Sequence, residues 1–167
     1  MVPIGTVDAE TLPAMRSMPV GAPVTLSSAV ERTDVTVPGD PDVTIRVHRP
    51  VGVDGDLPCV YSMHGGGYVA ASYEMGDARF DAWCPRFGCV GVSVEYRLAP
   101  ETPFPGPLED CYAGLKWVHD HHREIGVDPA RIGVAGTSAG GGLAAALALL
   151  ARDRGEIRSS SSYWTAR

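Results

Sequence analysis

Ser138 lies between glycines in the run Gly136-Thr137-Ser138-Ala139-Gly140-Gly141-Gly142, after the apolar stretch Arg131-Ile132-Gly133-Val134-Ala135 and before the helix-like Leu143 to Leu150. Strand, then Gly-x-Ser-x-Gly, then helix is the order needed to hold a serine hydroxyl exposed on a tight turn as a nucleophile. The glycines tolerate strained dihedrals and let the backbone approach closely. Upstream, His64-Gly65-Gly66-Gly67 follows a second apolar run, Cys59-Val60-Tyr61-Ser62-Met63. A loop of this kind can turn backbone N–H groups toward an oxyanion. The joint chemistry is acyl transfer: a serine attacks a carbonyl and N–H donors receive the developing negative charge.

A neutral serine is a poor nucleophile until an imidazole takes its proton and a carboxylate orients that imidazole. All five histidines precede Ser138, and the chain ends at Arg167. His64 belongs to the glycine loop, where its ring is suited to holding the loop's shape through backbone hydrogen bonds. His119, His121 and His122 flank Asp120 at a polar helix end and read as a solvated face; His48 lies in an early hairpin and reads as a surface residue. Asp77 and Asp81 are one helical turn apart, and Glu109 and Asp110 sit near a helix start, where negative charge suits the exposed N–H groups. None is tied by a motif to Ser138. Arg97 and Glu101 are expected to pair across the turn at Pro100. The glycine loop is not followed by the lysine and Ser/Thr of a phosphate-binding loop.

The elements that must position these residues are legible as a change of period. Arg32 to Val37 and Val43 to Arg49 alternate around Pro38-Gly39-Asp40-Pro41-Asp42, which predicts a hairpin. Cys59 to Met63, Val90 to Val94 and Arg131 to Ala135 are short and nearly all apolar or small, as strands covered on both faces are. Between them, Gly76 to Phe87 brings Ala78, Ala82 and Trp83 to one side of a helix, and Leu108 to His121 does so with Leu108, Cys111, Leu115 and Val118. The fold class is therefore α/β: a three-layer, mostly parallel sheet with an N-terminal hairpin. Residues 1–30 are Pro-rich and read as an arm or partial cap, and 31–155 as the sheet domain. In the tail, 156–167, Ser159-Ser160-Ser161-Ser162 is too polar for the next buried strand, which predicts a disordered, frameshifted or truncated end.

The net charge of −6 comes without a basic block, which argues against nucleic acid as a partner. The first 26 residues are broken by Pro3, Pro13, Pro19 and Pro23, so no secretory leader or membrane anchor is read there. Cys59, Cys84, Cys89 and Cys111 lack paired metal-ligand spacing and read as reduced, mostly buried thiols of a cytoplasmic protein.

His64 to Gly67, Tyr96-Arg97-Leu98-Ala99-Pro100-Glu101 and Gly136 to Gly141 together resemble, in order and spacing, the hormone-sensitive-lipase-like esterases and lipases of the α/β-hydrolase fold. The resemblance spans about residues 30 to 155, the N-terminal portion of that family. It implies Ser138 as nucleophile, with oxyanion N–H groups from Gly66, Gly67 and Ala139. His64, Arg97 and Glu101 are then structural supports, and Thr137 stands where many members have Asp. The substrate implied is a small-molecule carboxylic ester, and no metal or organic cofactor is required. The family's catalytic aspartate and histidine lie further downstream than this chain reaches. The alternative expectation is a catalytically silent fragment or pseudoenzyme whose open sheet edge recruits a second copy or a complementary chain.

Overall fold

Side chains on a strand alternate between faces, and in this sheet the alternation sorts two different layers. Cys59, Tyr61 and Met63 of β3 (Leu57–Met63) and Val90, Val92 and Val94 of β4 (Val90–Glu95) point into the main core. The residues between them, Val60 and Gly91, face a smaller cluster built on Phe80 and Cys84. These assignments come from a computed structural model of the chain that describes residues 7–18, 24–157 and 164–166.

The other strands are β1 (Val30–Val37), β2 (Val43–Pro50), β5 (Val127–Gly136) and β6 (Trp164–Ala166). They form one sheet in the order β1-β2-β4-β3-β5-β6. The predicted hairpin is present, β1 pairing antiparallel with β2 from Val30↔Pro50 to Val37↔Val43, and β2 also pairs antiparallel with β4. From β4 onward the sheet is parallel, with Met63 opposite Val94 on one side and Gly136 on the other. That register brings the ends of β3 and β5 level, which is where the glycine loop and the serine turn begin.

Four helices are described: α1 (Leu12–Arg16), α2 (Asp77–Phe87), α3 (Gly106–Asp120) and α4 (Ala139–Arg154). The α3 stripe is the predicted one, with Leu108, Cys111, Leu115 and Val118 all buried against the main core. Tyr61 reaches into this layer, its hydroxyl donating to Cys111 O at 3.0 Å, and a Cβ at Gly114 would lie 2.3 Å from that hydroxyl.

Three expectations are corrected here. In α2 the buried stripe is Phe80 and Cys84, whereas Ala78, Ala82 and Trp83 are exposed. The Phe80 ring occupies the space left by Gly91, where a Cβ would lie 2.2 Å from its Cδ1. A large ring matched to a glycine on β4 decides the helix's rotation, and the helical period of α2 alone could not show it. His48 is fully buried rather than on the surface, its Nε2 2.8 Å from Asp77 Oδ1 and its Nδ1 3.3 Å from Gly91 O. The tail does supply a strand: Trp164–Ala166 pairs in parallel with Val134–Gly136. Trp and Thr suit a strand although the serines before them do not. The serine run itself, with residues 1–6 and 19–23 of the proposed arm, lies outside the described residues.

Candidate active site

β5 ends at Gly136 and α4 begins at Ala139, as the motif predicts, leaving Thr137 and Ser138 to make the turn. Ser138 is exposed, with φ 54° and ψ −119°, a conformation few residues with a Cβ adopt. Its flanking glycines are required sterically. A Cβ on Gly136 would lie 1.9 Å from Gly140 O, and one on Gly140 would lie 2.3 Å from Met63 O and 2.4 Å from His64 O. The turn therefore closes directly onto the end of β3.

The glycine loop lies against this turn. A Cβ on Gly65 would sit 3.0 Å from Thr137 O and 3.5 Å from Ser138 Cβ. Gly66 and Gly67 follow with φ 113° and 64°. Gly66 O accepts from the N–H groups of Val69 and Ala70, whereas the N–H groups of Gly66, Gly67 and Ala139 have no partner among the described residues. Ala139 is at the first position of α4, where N–H groups have no intrahelical acceptor. Two of these donors thus belong to the loop packed on the serine turn, and the third directly follows Ser138; N–H groups of this kind can bind an anionic oxygen.

His64 is bonded within its own loop. Its Nδ1 lies 2.7 Å from Gly65 O, and its ring stacks on Tyr96 with centroids 4.1 Å apart. The Tyr96 hydroxyl in turn donates to His64 O at 2.8 Å. Burial lowers the His64 pKa, so the ring is neutral near pH 7.

Arg97 and Glu101 do not pair with each other. The Arg97 guanidinium and its backbone N–H both donate to the buried Asp110, at 2.8 to 3.1 Å. Asp110 satisfies main chain and side chain of the same residue together, which Glu101 across the turn does not. Glu101 is held by Arg16 of α1, whose two terminal nitrogens reach its carboxylate at 2.8 and 2.7 Å. The hydrogen bond from Arg16 lowers the Glu101 pKa to about 2. Arg16 also donates to Val69 O and Ala99 O, at 2.8 and 3.0 Å, so the arm clamps the segment after the glycine loop to the Pro100 turn.

Arg79 is a supporting residue that the sequence did not single out. From α2 it donates to Thr137 Oγ1 at 2.8 Å and to Ser62 Oγ at 3.3 Å, bracing the residue before Ser138. Arg79 and Thr137 are 58 residues apart, so no local spacing signals the pair.

The other candidate residues named from the sequence are bonded to groups other than the serine. Asp77 binds Arg46 and His48, and Asp81 binds Arg32 and Ser27. His119, His121 and His122 are half-buried and bonded to Asp120, Trp117 O and His119 O. His122 O also accepts from Val127, at the opposite end of β5 from Ser138, about 20 Å away along the neighbouring strand. All four cysteines are buried free thiols. Among the described residues no cluster of three or more His, Cys, Asp or Glu could hold a metal, and no helix is long and apolar enough to cross a membrane.

A family model described as an alpha/beta hydrolase fold matches residues 60–163. The chain belongs to this family, on its esterase and lipase branch. Carboxylesterase NlhH of Mycobacterium tuberculosis is 42% identical over 126 residues, covering 75% of this chain and 40% of that protein. An arylesterase of Saccharolobus solfataricus is 39% identical over 114 residues, covering 68% and 37%. Among solved structures, a bacterial heroin esterase superposes with a TM-score of 0.80 at 40% identity, over 93% of this chain and 48% of that one. A hyperthermophilic esterase from Pyrobaculum calidifontis gives 0.73 at 42% identity, over 92% and 46%. The α/β-hydrolase chain described here thus spans about 40% of the length of the curated relatives it matches.

Proposed function

We propose that this chain is the nucleophile-bearing part of a serine carboxylesterase and that it is catalytically silent until a complementary segment supplies an imidazole and its carboxylate. In the complete site Ser138 attacks the carbonyl carbon of a small ester while the base takes its Oγ proton. The N–H groups of Gly66, Gly67 and Ala139 bind the tetrahedral oxyanion. Collapse of that intermediate expels the alcohol, which leaves with the proton from the base, and water then hydrolyses the acyl-serine by the same route. His64, Arg79 and the Arg97–Asp110 pair act as positioning residues.

The observation that carries this reading is the contact between the glycine loop and the turn of the exposed Ser138, both segments having N–H groups with no partner among the described residues. Its silence in isolation is supported by the histidines: His48 Nε2 is bonded to Asp77, His64 Nε2 is buried with no bond to Ser138, and His122 lies at the opposite end of β5. An apolar groove lined by Tyr68, Phe104, Leu108, Leu143 and Ala146 adjoins the site and suits the hydrocarbon part of an ester. The names of the relatives, carboxylesterase and arylesterase, agree with that substrate class.

The test is turnover of a short activated aryl ester by the chain alone and by a chimera that continues it with the C-terminal part of the 42%-identical mycobacterial relative. The chimera is expected to turn over and to lose activity on Ser138→Ala. The chain alone should show at most the residual catalysis, about 10³–10⁴-fold over water, that an incomplete triad retains. Full turnover by the chain alone, abolished by Ser138→Ala, would show that a base is already present. A folded but inactive chimera would count against Ser138 as the nucleophile.

A further inference from the structure

Beside the serine turn and the glycine loop, α2 and the 3₁₀ turn before it (Tyr73–Gly76) border a small, partly open cavity lined by Ser62, His64, Gly65, Arg79, Ser93 and Thr137. It leaves about 10 Å³ for the centre of a water-sized molecule. One water needs about 10–15 Å³ by that measure and two to four polar partners, so the space suits a single water and nothing larger.

Two residues lining this cavity each hold a buried atom with no hydrogen-bond partner among the described residues: His64 Nε2 and Ser93 Oγ. These residues are only 6% and 3% exposed. A buried polar atom left unpaired costs about 1–3 kcal/mol, and nearly all such atoms in folded proteins are paired. Two such atoms on residues that line one cavity point to a shared partner.

The chemistry of that partner follows from the surrounding groups. Gly65 O can only accept, so His64 Nδ1 carries the proton that it donates across 2.7 Å. The neutral ring then presents a lone pair at Nε2, while the Ser93 hydroxyl can donate or accept. The ligand must therefore donate at least one hydrogen bond. Arg79 lines the same space and has no carboxylate partner among the described residues, which makes the cavity hostile to a cation.

We propose that this cavity binds one water molecule, which donates a hydrogen bond to His64 Nε2 and shares a second with Ser93 Oγ. The water holds His64 as the Nδ1–H tautomer, and that tautomer grips the Gly65 carbonyl and sets the shape of the Gly65–Gly67 loop. This inference stands apart from the proposed reaction, since it concerns the support beneath the loop and requires no substrate.

Two measurements on the unaltered chain test it. Histidine ¹⁵N NMR should report His64 as the neutral Nδ1–H tautomer near pH 7, with a nuclear Overhauser effect from its ring protons to a long-lived water. A crystal structure that resolves ordered solvent should place one water within about 2.7–3.2 Å of both atoms. An Nε2–H tautomer, a dry cavity, or a direct bond between Ser93 and His64 would overturn the proposal. Ser93→Val, which fills the space with methyl groups, should abolish the water signal; if the variant kept it, the water would sit elsewhere. Should that variant fail to fold, the measurements on the unaltered chain still decide.

Discussion

Replacing Ser138 by glycine should make the protein more stable, and replacing it by alanine should not. Ser138 holds φ 54° and ψ −119°, outside the regions that residues with a Cβ favour. Such strain costs about 1–3 kcal/mol. Glycine removes the Cβ and with it the strain, but adds unfolded-state freedom worth about 0.5–1 kcal/mol. The predicted net gain is about 0.5–2 kcal/mol. Alanine keeps the Cβ, and the hydroxyl it deletes is exposed and makes no capping hydrogen bond, so that variant should match the parent. For a chain of this size each kcal/mol moves Tm by about 2–4 °C. Urea unfolding of the three proteins with an unchanged m-value, supported by thermal melts at one scan rate, measures the difference. A glycine variant no more stable than the alanine variant would refute the argument that the turn stores strain at this residue.

Gly140→Ala should destabilise by at least about 1–3 kcal/mol, the range for overpacking, because its Cβ would meet the main-chain oxygens of Met63 and His64 rather than a yielding side chain; an unchanged urea midpoint would contradict the close approach. Asp110→Asn should lower stability by about 1.5–3 kcal/mol through loss of its charged hydrogen bonds to Arg97, again read from urea midpoints. Stability should fall between about pH 7 and pH 5, since His48 and His64 have pKa values lowered by burial. The unfolded chain, whose histidines titrate near about 6.5, takes up protons there that the folded chain refuses, with a slope of up to about 1.4 kcal/mol per pH unit for each histidine. Asp34, its pKa lowered by the hydrogen bond from Arg46, adds a loss only at pH values below about 4. A flat stability profile from pH 7 to pH 5 would show that neither histidine is held neutral.

The parallel strands and the serine turn were legible because their signals are local. Met63 and Gly136 each end a short apolar run, and glycines at 136 and 140 announce a turn with no room for side chains. The α3 stripe was legible for the same reason: four apolar residues at helical spacing have one face to bury. The α2 stripe was not, because Trp83 and the alanines compete with Phe80 for the inward position. Only the gap at Gly91, on a strand that follows the helix, decides the matter. Pairing of charges was the least legible feature. Arg97 and Glu101 are four residues apart and suggest each other, yet each finds its partner on a different element, Asp110 on α3 and Arg16 on α1.

The sequence by itself determined the α/β class, the hairpin, the serine turn and the glycine loop. Each of these is written in residue types at short spacing, where steric limits and the periods of helix and strand leave few alternatives. Tertiary structure alone decided that His48 is buried against Asp77, that Arg79 braces Thr137 and that Arg16 clamps the arm to the Pro100 turn. It also brought His64 and Ser93, each with a buried polar atom lacking a partner among the described residues, to the lining of one cavity. Those contacts join residues far apart in the chain, and which long polar side chain reaches which partner depends on how strands and helices stack, a quantity no local spacing encodes.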